Sequence, residues 1–294
     1  MPSNLTLIFL HIPKTGGQSL KQLFRRHYSA DTLFLINQKR PGQTLHDLRS
    51  LPLEKRQQLR CVAGHCSFGI HLDLAQPKAQ YLTLVRKPVE RVISHYYFVR
   101  GLRHHPLHEQ AKQMSLAEYA RSGIAEIDNG QTRMLTVTGD SIPFGACTPE
   151  LLEEAKQNLR THFTVVGTTD RFNEVVVLLH YHLGIVPFYH RENETRNRPK
   201  QSAVSAETTA AIMQHNRLDQ SLYDYANQLL DEQIERLGLP FLLQFQRFKV
   251  LNSVYGVPNS LKVTVKRSRQ RWSNQFNRHL KKVRKTLRRV RHKL

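Results

Sequence analysis

Lys14, Gly16, Gly17 and Ser19 fall within six residues of one another in "HIPKTGGQS", residues 11–19, directly after the apolar run "LTLIFL". Backbone N–H groups at the start of a helix are unpaired and carry the positive end of its dipole, so a strand-to-helix turn of this kind favours an anion. The two glycines let the chain turn closely around such a group. Lys14 can reach a phosphate oxygen, and Ser19 adds a donor. The lysine precedes the glycines, whereas the ATP-binding pattern G-x-x-x-x-G-K-[ST] places it after them. No strand ends in an aspartate suited to Mg²⁺. A phosphate compound handled without metal fits this order better than ATP does. The plainer alternative is a tight turn with an exposed lysine.

A second constellation lies in "LTLVRKPVERVISHYYF", residues 82–98. Arg86 ends an apolar run and Ser94 lies two turns into the helix that follows. A guanidinium fork and a hydroxyl suit another phosphate group. His65 closes "RCVAGH", and an unperturbed imidazole, titrating near pH ~6.5, can accept a proton at neutral pH. His71, His95, His104, His105 and His108 read as surface residues or acceptor contacts. Gln131 and Arg133 in "QTRML" sit on a helix that either faces an acceptor or is capped by Asp128 and packed through Met134 and Leu135. Tyr96, Tyr97 and Phe98 read as core and crevice lining. Cys61, Cys66 and Cys147 are too few and too irregularly spaced for a disulfide framework or zinc site, and read as small buried residues.

The elements that must position these groups follow from periodicity and punctuation. Buried strands are expected over 5–11, 60–65, 80–85 and 163–168. Helices are expected over 17–27, 88–100, 115–121, 129–136, 149–161, 170–184, 206–215 and 219–237, with Pro88 at a helix start and Gly184 at a helix end. Residues 38–58 read as irregular apart from a short helix at 53–59, and 186–204 as a long polar loop. Strands alternating with helices imply a parallel sheet covered on both faces, with ligands at the carboxyl ends of the strands. The expected fold is α/β, a P-loop-type three-layer α/β/α arrangement with a central parallel sheet, plus a basic C-terminal helical tail. The expected division is 1–240 for the domain and 241–294 for linker and tail, with "GLPFLL" and "VYGVPNS" loosening the chain between them.

Taken together and in order, "IPKTGGQS", "AGH" and "LVRKPVERVISHYYF" resemble the sulfotransferases that use 3′-phosphoadenosine-5′-phosphosulfate (PAPS), in particular the uronyl and heparan sulfate 2-O-sulfotransferase group and its bacterial relatives. "DNGQTRML" (128–135), "VVGTTDRFNEVVVLL" (165–179), "NETRNRP" (193–199) and "NRLDQSLYDYA" (216–226) extend the resemblance from about residue 5 to residue 235. It implies metal-free, in-line transfer of a sulfuryl group to a hydroxyl or amine, leaving 3′-phosphoadenosine-5′-phosphate (PAP). Lys14, Thr15, Gly16, Gly17, Gln18 and Ser19 would hold the 5′-phosphate, with Lys14 neutralising charge on the departing oxygen. Arg86 and Ser94 would hold the 3′-phosphate, and Asn193, Thr195 and Arg198 would form a lid over the nucleotide. His65 matches the family's catalytic histidine. Two positions depart from the pattern: Lys87 stands where many relatives carry an acid, and Ala63 where relatives with "HGH" carry a first histidine.

Net charge is +21, yet residues 262–294 hold fourteen Lys and Arg and no Asp or Glu, leaving 30 basic against 23 acidic residues in the body. The charge therefore describes the tail. Trp272, Phe276, Leu280, Val283, Leu287 and Val290 recur there at steps of three and four, the mark of an amphipathic basic helix that lies on anionic membranes or binds polyanions; a disordered basic extension is the alternative. No recognition-helix or RNP-type motif supports specific nucleic-acid binding. Nor is there an apolar run approaching the ~18 residues of a membrane span, or a signal-peptide pattern. The expected setting is cytoplasmic, peripheral at a membrane through the tail, with a hydroxyl acceptor on a glycan, a small molecule or a lipid head group.

Overall fold

The structure, a computed structural model, describes residues 5–37, 41–74, 79–187 and 204–255. Five parallel strands form one sheet: β1 (Thr6–Leu10), β2 (Leu33–Leu35), β3 (Cys61–Gly64), β4 (Ala79–Val85) and β5 (Phe163–Thr168), in the order β2-β3-β1-β4-β5. Leu10 pairs with Gly64 on one side and Thr83 on the other. The segments that carry the candidate site, beginning at His11, His65 and Arg86, therefore leave the sheet from one edge. The chain order reverses on either side of β1, where ligands of such sheets bind.

Period-two alternation divides the strands between two apolar layers. Ile8, Leu10, Val62, Tyr81 and Val166 face helices α8 (Pro149–His162) and α11 (Arg217–Leu237) through Leu152, Leu159, Leu222 and Ala226. Leu7, Phe9, Ala63, Leu82 and Val165 face α1 (Gly17–His27) and α9 (Phe172–Leu183) through Leu20, Phe24, Val176 and Leu179. This is the expected three-layer α/β/α arrangement. A third cluster joins α4 (Pro88–Gly101), α5 (His108–Gln113), α6 (Leu116–Ala120) and α10 (Ala206–Gln214) through Val92, Tyr96, Ala111, Tyr119 and Ile212. It braces the helix that carries Ser94.

Three elements differ from the sequence reading. β2 is only three half-buried residues, too short for a periodic signal, and is recruited by pairing with β3. Residues 41–50, expected to be irregular, form α2 (Pro41–Ser50), ahead of the anticipated short helix α3 (Leu53–Gln58). The segment expected to loosen at "GLPFLL" is α12 (Leu239–Tyr255), so a division at 240 falls inside a helix. Pro240 is tolerated in a first helical turn. Phe241 and Phe248, seven residues apart and so on one face, are buried in the layer that holds Leu7 and Phe9. Each contributes about 1.5–3 kcal/mol by leaving water.

Candidate active site

The loop after β1 is shaped by its own backbone. Gly16, with φ 78°, is the N-cap of α1; it supplies no side-chain cap, and the first turn of α1 holds no acid. A Cβ on Gly17 would come within 2.2 Å of the His11 imidazole, so that position needs glycine for close approach. Thr15, buried, donates from Oγ1 to the Ile12 carbonyl at 2.8 Å and closes the turn. Lys14 adopts φ 71°, a left-handed conformation costing a non-glycine residue about 1–3 kcal/mol. Its carbonyl accepts from Arg86 Nη1 at 3.1 Å, and its ammonium lies 3.9 Å from the centroid of the Phe98 ring. Gln18 is half-buried and Ser19 buried in the first turn. The N–H groups of this turn and the Lys14 charge are of the kind that can attract an anion.

Arg86 leaves β4 and joins the two halves of the site. Besides holding the Lys14 carbonyl, its guanidinium pairs with Glu90 at 3.0 Å. Its main chain is gripped by Gln131, whose amide accepts from Arg86 N and donates to Arg86 O, both at 2.8 Å. Ser94 is buried on α4. Lys87 is the N-cap of α4 and makes no side-chain cap bond, so the capping usual for an acid there is missing, as the sequence leads one to expect.

His65 follows β3 and is half-buried. Its Nδ1 lies 2.6 Å from the His11 carbonyl. A carbonyl can only accept, so Nδ1 carries the proton and Nε2 keeps its lone pair. Burial, and next the charge of Lys21, push His65 down to about 4; the bond to His11 opposes this and Lys14 adds to it. The ring is therefore neutral at physiological pH. His11 and Lys21 were not singled out in the sequence. The signals were there: His11 lies two residues after buried Phe9 on the same strand face, and Lys21 lies one turn after Gly17 on the same helix face. Lys21 is buried, and burial followed by Arg25 lowers its ammonium to about 8.

Of the other histidines, His95 and His108 are not surface groups. His95 Nδ1 bonds the Tyr119 hydroxyl at 3.0 Å, and His108 Nδ1 donates to the Val99 carbonyl at 3.1 Å; both are buried in the helical cluster. The cysteines are free, Cys61 and Cys66 buried and Cys147 half-buried.

Helix α7 (Gly130–Met134) decides between the two readings of "QTRML". Gln131 and Arg133 are buried and engaged within the protein, which favours the packed helix over a contact with an acceptor. Arg133 pairs with Asp128 at 2.5 Å and donates to the carbonyls of Asp128, Gly139, Ile142 and Pro143. Asp128 is thus the partner of Arg133, and the N-cap is Asn129, in a left-handed conformation. Asp219, at the start of α11, takes the amides of Gln131 and Thr132 at 3.1 and 2.8 Å and the Thr132 hydroxyl at 2.9 Å. Asn129 Oδ1 in return accepts from the amides of Leu218 and Asp219. The two helix starts cap each other across 90 residues.

Asn193, Thr195, Arg198 and the tail 262–294 lie outside the described residues. Among the described residues no group of three or more His, Cys, Asp and Glu is placed to hold a metal ion, and no helix is long and apolar enough to cross a membrane.

Residues 2–143 match the model of the sulfotransferase family. The chain is 26% identical to a heparin sulfate O-sulfotransferase of Drosophila melanogaster over 208 residues, 63% of this chain and 58% of that protein. It is 23% identical to the heparan sulfate 2-O-sulfotransferase 1 of Xenopus laevis over 254 residues, 76% of this chain and 70% of the relative. Identity to a heparan sulfate 2-O-sulfotransferase of Caenorhabditis elegans is 26% over 195 residues, 57% of each. The chain thus spans between 57% and 70% of the length of these relatives.

Proposed function

We propose, from the match of residues 2–143 to the sulfotransferase family, that the chain transfers a sulfuryl group from PAPS to a hydroxyl of a glycan, in line and without metal, with His65 as general base. The observation that carries this reading is the His65 Nδ1–His11 carbonyl bond, which leaves Nε2 as the proton acceptor at the sheet edge where the phosphate loop begins. The donor carries its activated sulfuryl group at the end of its 5′-phosphate and a second, separate phosphate at the 3′ position of the same ribose. The start of α1 with Lys14 fits the 5′-phosphate, and Arg86 with Ser94 fits the 3′-phosphate. As the acceptor oxygen bonds to sulfur, its proton passes to His65 Nε2. Lys14 neutralises the charge left on the phosphate oxygen when the sulfur–oxygen bond breaks. The relatives named for heparan sulfate support a glycan acceptor.

Separate sites for two phosphates predict that PAP binds far better than AMP or ATP, and binds without Mg²⁺. Arg86→Ala should weaken PAP binding by about 1.5–3 kcal/mol, the range for a hydrogen bond to a charged group. Titration calorimetry measures both. Equal affinity for AMP, or a strict need for metal, would rule out the paired sites.

The basic tail holds the enzyme at an anionic surface or retains a polyanionic acceptor, and takes no part in chemistry. Deleting residues 262–294 should leave PAP binding and turnover of a small soluble acceptor unchanged. Sedimentation with anionic vesicles or sulfated polysaccharide should fall, and what remains should depend less on salt, since exposed charges are screened over ~8 Å at physiological ionic strength. Identical sedimentation of both proteins across salt would remove the tail as anchor.

A further inference from the structure

His11 is only 4% exposed, and its ring stacks on two others. Phe9 stacks on it with centroids 5.2 Å and planes 19° apart, and His65 with centroids 4.4 Å and planes 22° apart. Its edge abuts Gly17, where any side chain would collide with it. Nδ1 of His11 has no hydrogen-bond partner among the described residues. The faces of the ring meet Phe9 and His65, while its main-chain carbonyl fixes the His65 tautomer. β1 and β3 are paired, so the residues that follow them emerge side by side. Ala63, two residues before His65 in the chain, is buried.

We propose that His11 is the positioning residue of the base: its stacked ring sets the plane of His65 and keeps water from it, so that a neutral imidazole presents Nε2 to the acceptor. This rests on the reading of His65 as general base. A loosely held imidazole would rotate about its own bonds and meet the acceptor in few of its orientations, and a misplacement of about 1 Å can cost about a hundredfold in rate. The charged and titratable groups around this pair are Lys14 from the loop, Lys21 from α1 and His95 from α4; Asp140, which accepts from Ser67 Oγ, is felt at Cys66 beside them. Lys14 and Lys21 disfavour protonation of both rings. When His65 takes up the acceptor's proton, the face of a neutral His11 is the surface against which the new charge rests. An aromatic ring without nitrogen serves the same purpose, and a methyl group does not.

The test is ¹⁵N-histidine NMR titration of the full chain without donor or acceptor, joined to turnover at neutral pH, for the wild type, His11→Ala and His11→Phe. In the wild type and His11→Phe, His65 should remain an Nδ1–H tautomer titrating well below the ordinary value of about 6.5. In His11→Ala water reaches the ring, its titration should move up by at least about one unit, and the second tautomer should appear. Turnover should fall about tenfold or more in His11→Ala, with PAP affinity held, and His11→Phe should restore it. An unchanged His65 titration and tautomer in folded His11→Ala overturns the assignment. So does a folded His11→Phe that loses turnover as far as His65→Ala does, which decides the matter even if His11→Ala does not fold. Because the titration needs neither substrate, it gives its answer even if the chain transfers no sulfuryl group.

Discussion

His65→Ala is expected to lower turnover by about 10²–10⁴-fold, the usual contribution of a general base, while PAP affinity stays nearly unchanged. The separation follows from geometry. His65 leaves β3, whereas the groups that fit the nucleotide phosphates belong to the loop after β1 and to the β4–α4 segment. The substitution also leaves the His11 carbonyl without its donor. The acid limb of kcat/KM reports the same group. The base must be neutral to accept a proton, and burial with Lys21 lowers His65 to about 4, so activity should persist as pH falls through the ordinary histidine range and fail only near pH 4. A loss under tenfold in His65→Ala, with PAP still bound, would move the base to another residue. A limb near 6.5 would mean that His65 is better hydrated than its surroundings here imply.

Asp219→Ala should have the largest effect on stability. Asp219 is 0% and Arg91 1% exposed, their nearest charged atoms are 3.9 Å apart, and the same carboxylate accepts the Gln131 and Thr132 amides. Breaking a buried pair by removing one partner costs about 3–5 kcal/mol, because the other charge stays buried and uncompensated. That is a large share of the roughly 5–15 kcal/mol available to a domain. The Arg91 guanidinium also donates to the Glu126 carbonyl at 2.5 Å, and the charges of Glu126 and Tyr119 support it less than that of Asp219 does. Urea unfolding measures the cost, and a loss under about 1 kcal/mol would show that water reaches the pair. Function should follow stability. Asp219 fixes the start of α7, α7 carries Gln131, and Gln131 grips the main chain of Arg86. PAP affinity should therefore fall in Asp219→Ala even where the protein remains folded, and Asp219→Asn should retain more of both.

The glycine turn after β1, the order of the large helices and strands, the parallel sheet and the place of His65 at the sheet edge were legible in the chain itself. Each depends on interactions close in sequence: apolar alternation marks β1, glycines mark the turn after it, and Pro88 marks the start of α4. The histidine that ends "AGH" follows a buried strand and so must emerge at the sheet edge, but its reading as the base came from the family resemblance and not from that position alone. Tertiary structure alone decided what surrounds these groups. Gln131 and Arg133 are polar residues on a short helix, and nothing local says that one grips Arg86, 45 residues earlier, or that the other spans the turn at 139–143. "GLPFLL" reads as a break until the layer beneath Phe241 exists to bury it. His11 and His65 are 54 residues apart, and only the pairing of β1 with β3 brings a carbonyl to one ring nitrogen and leaves the other open. Sequence order determined which groups reach the edge of the sheet; long-range packing determined their tautomers, partners and charge, because those depend on burial and on neighbours that no local pattern records.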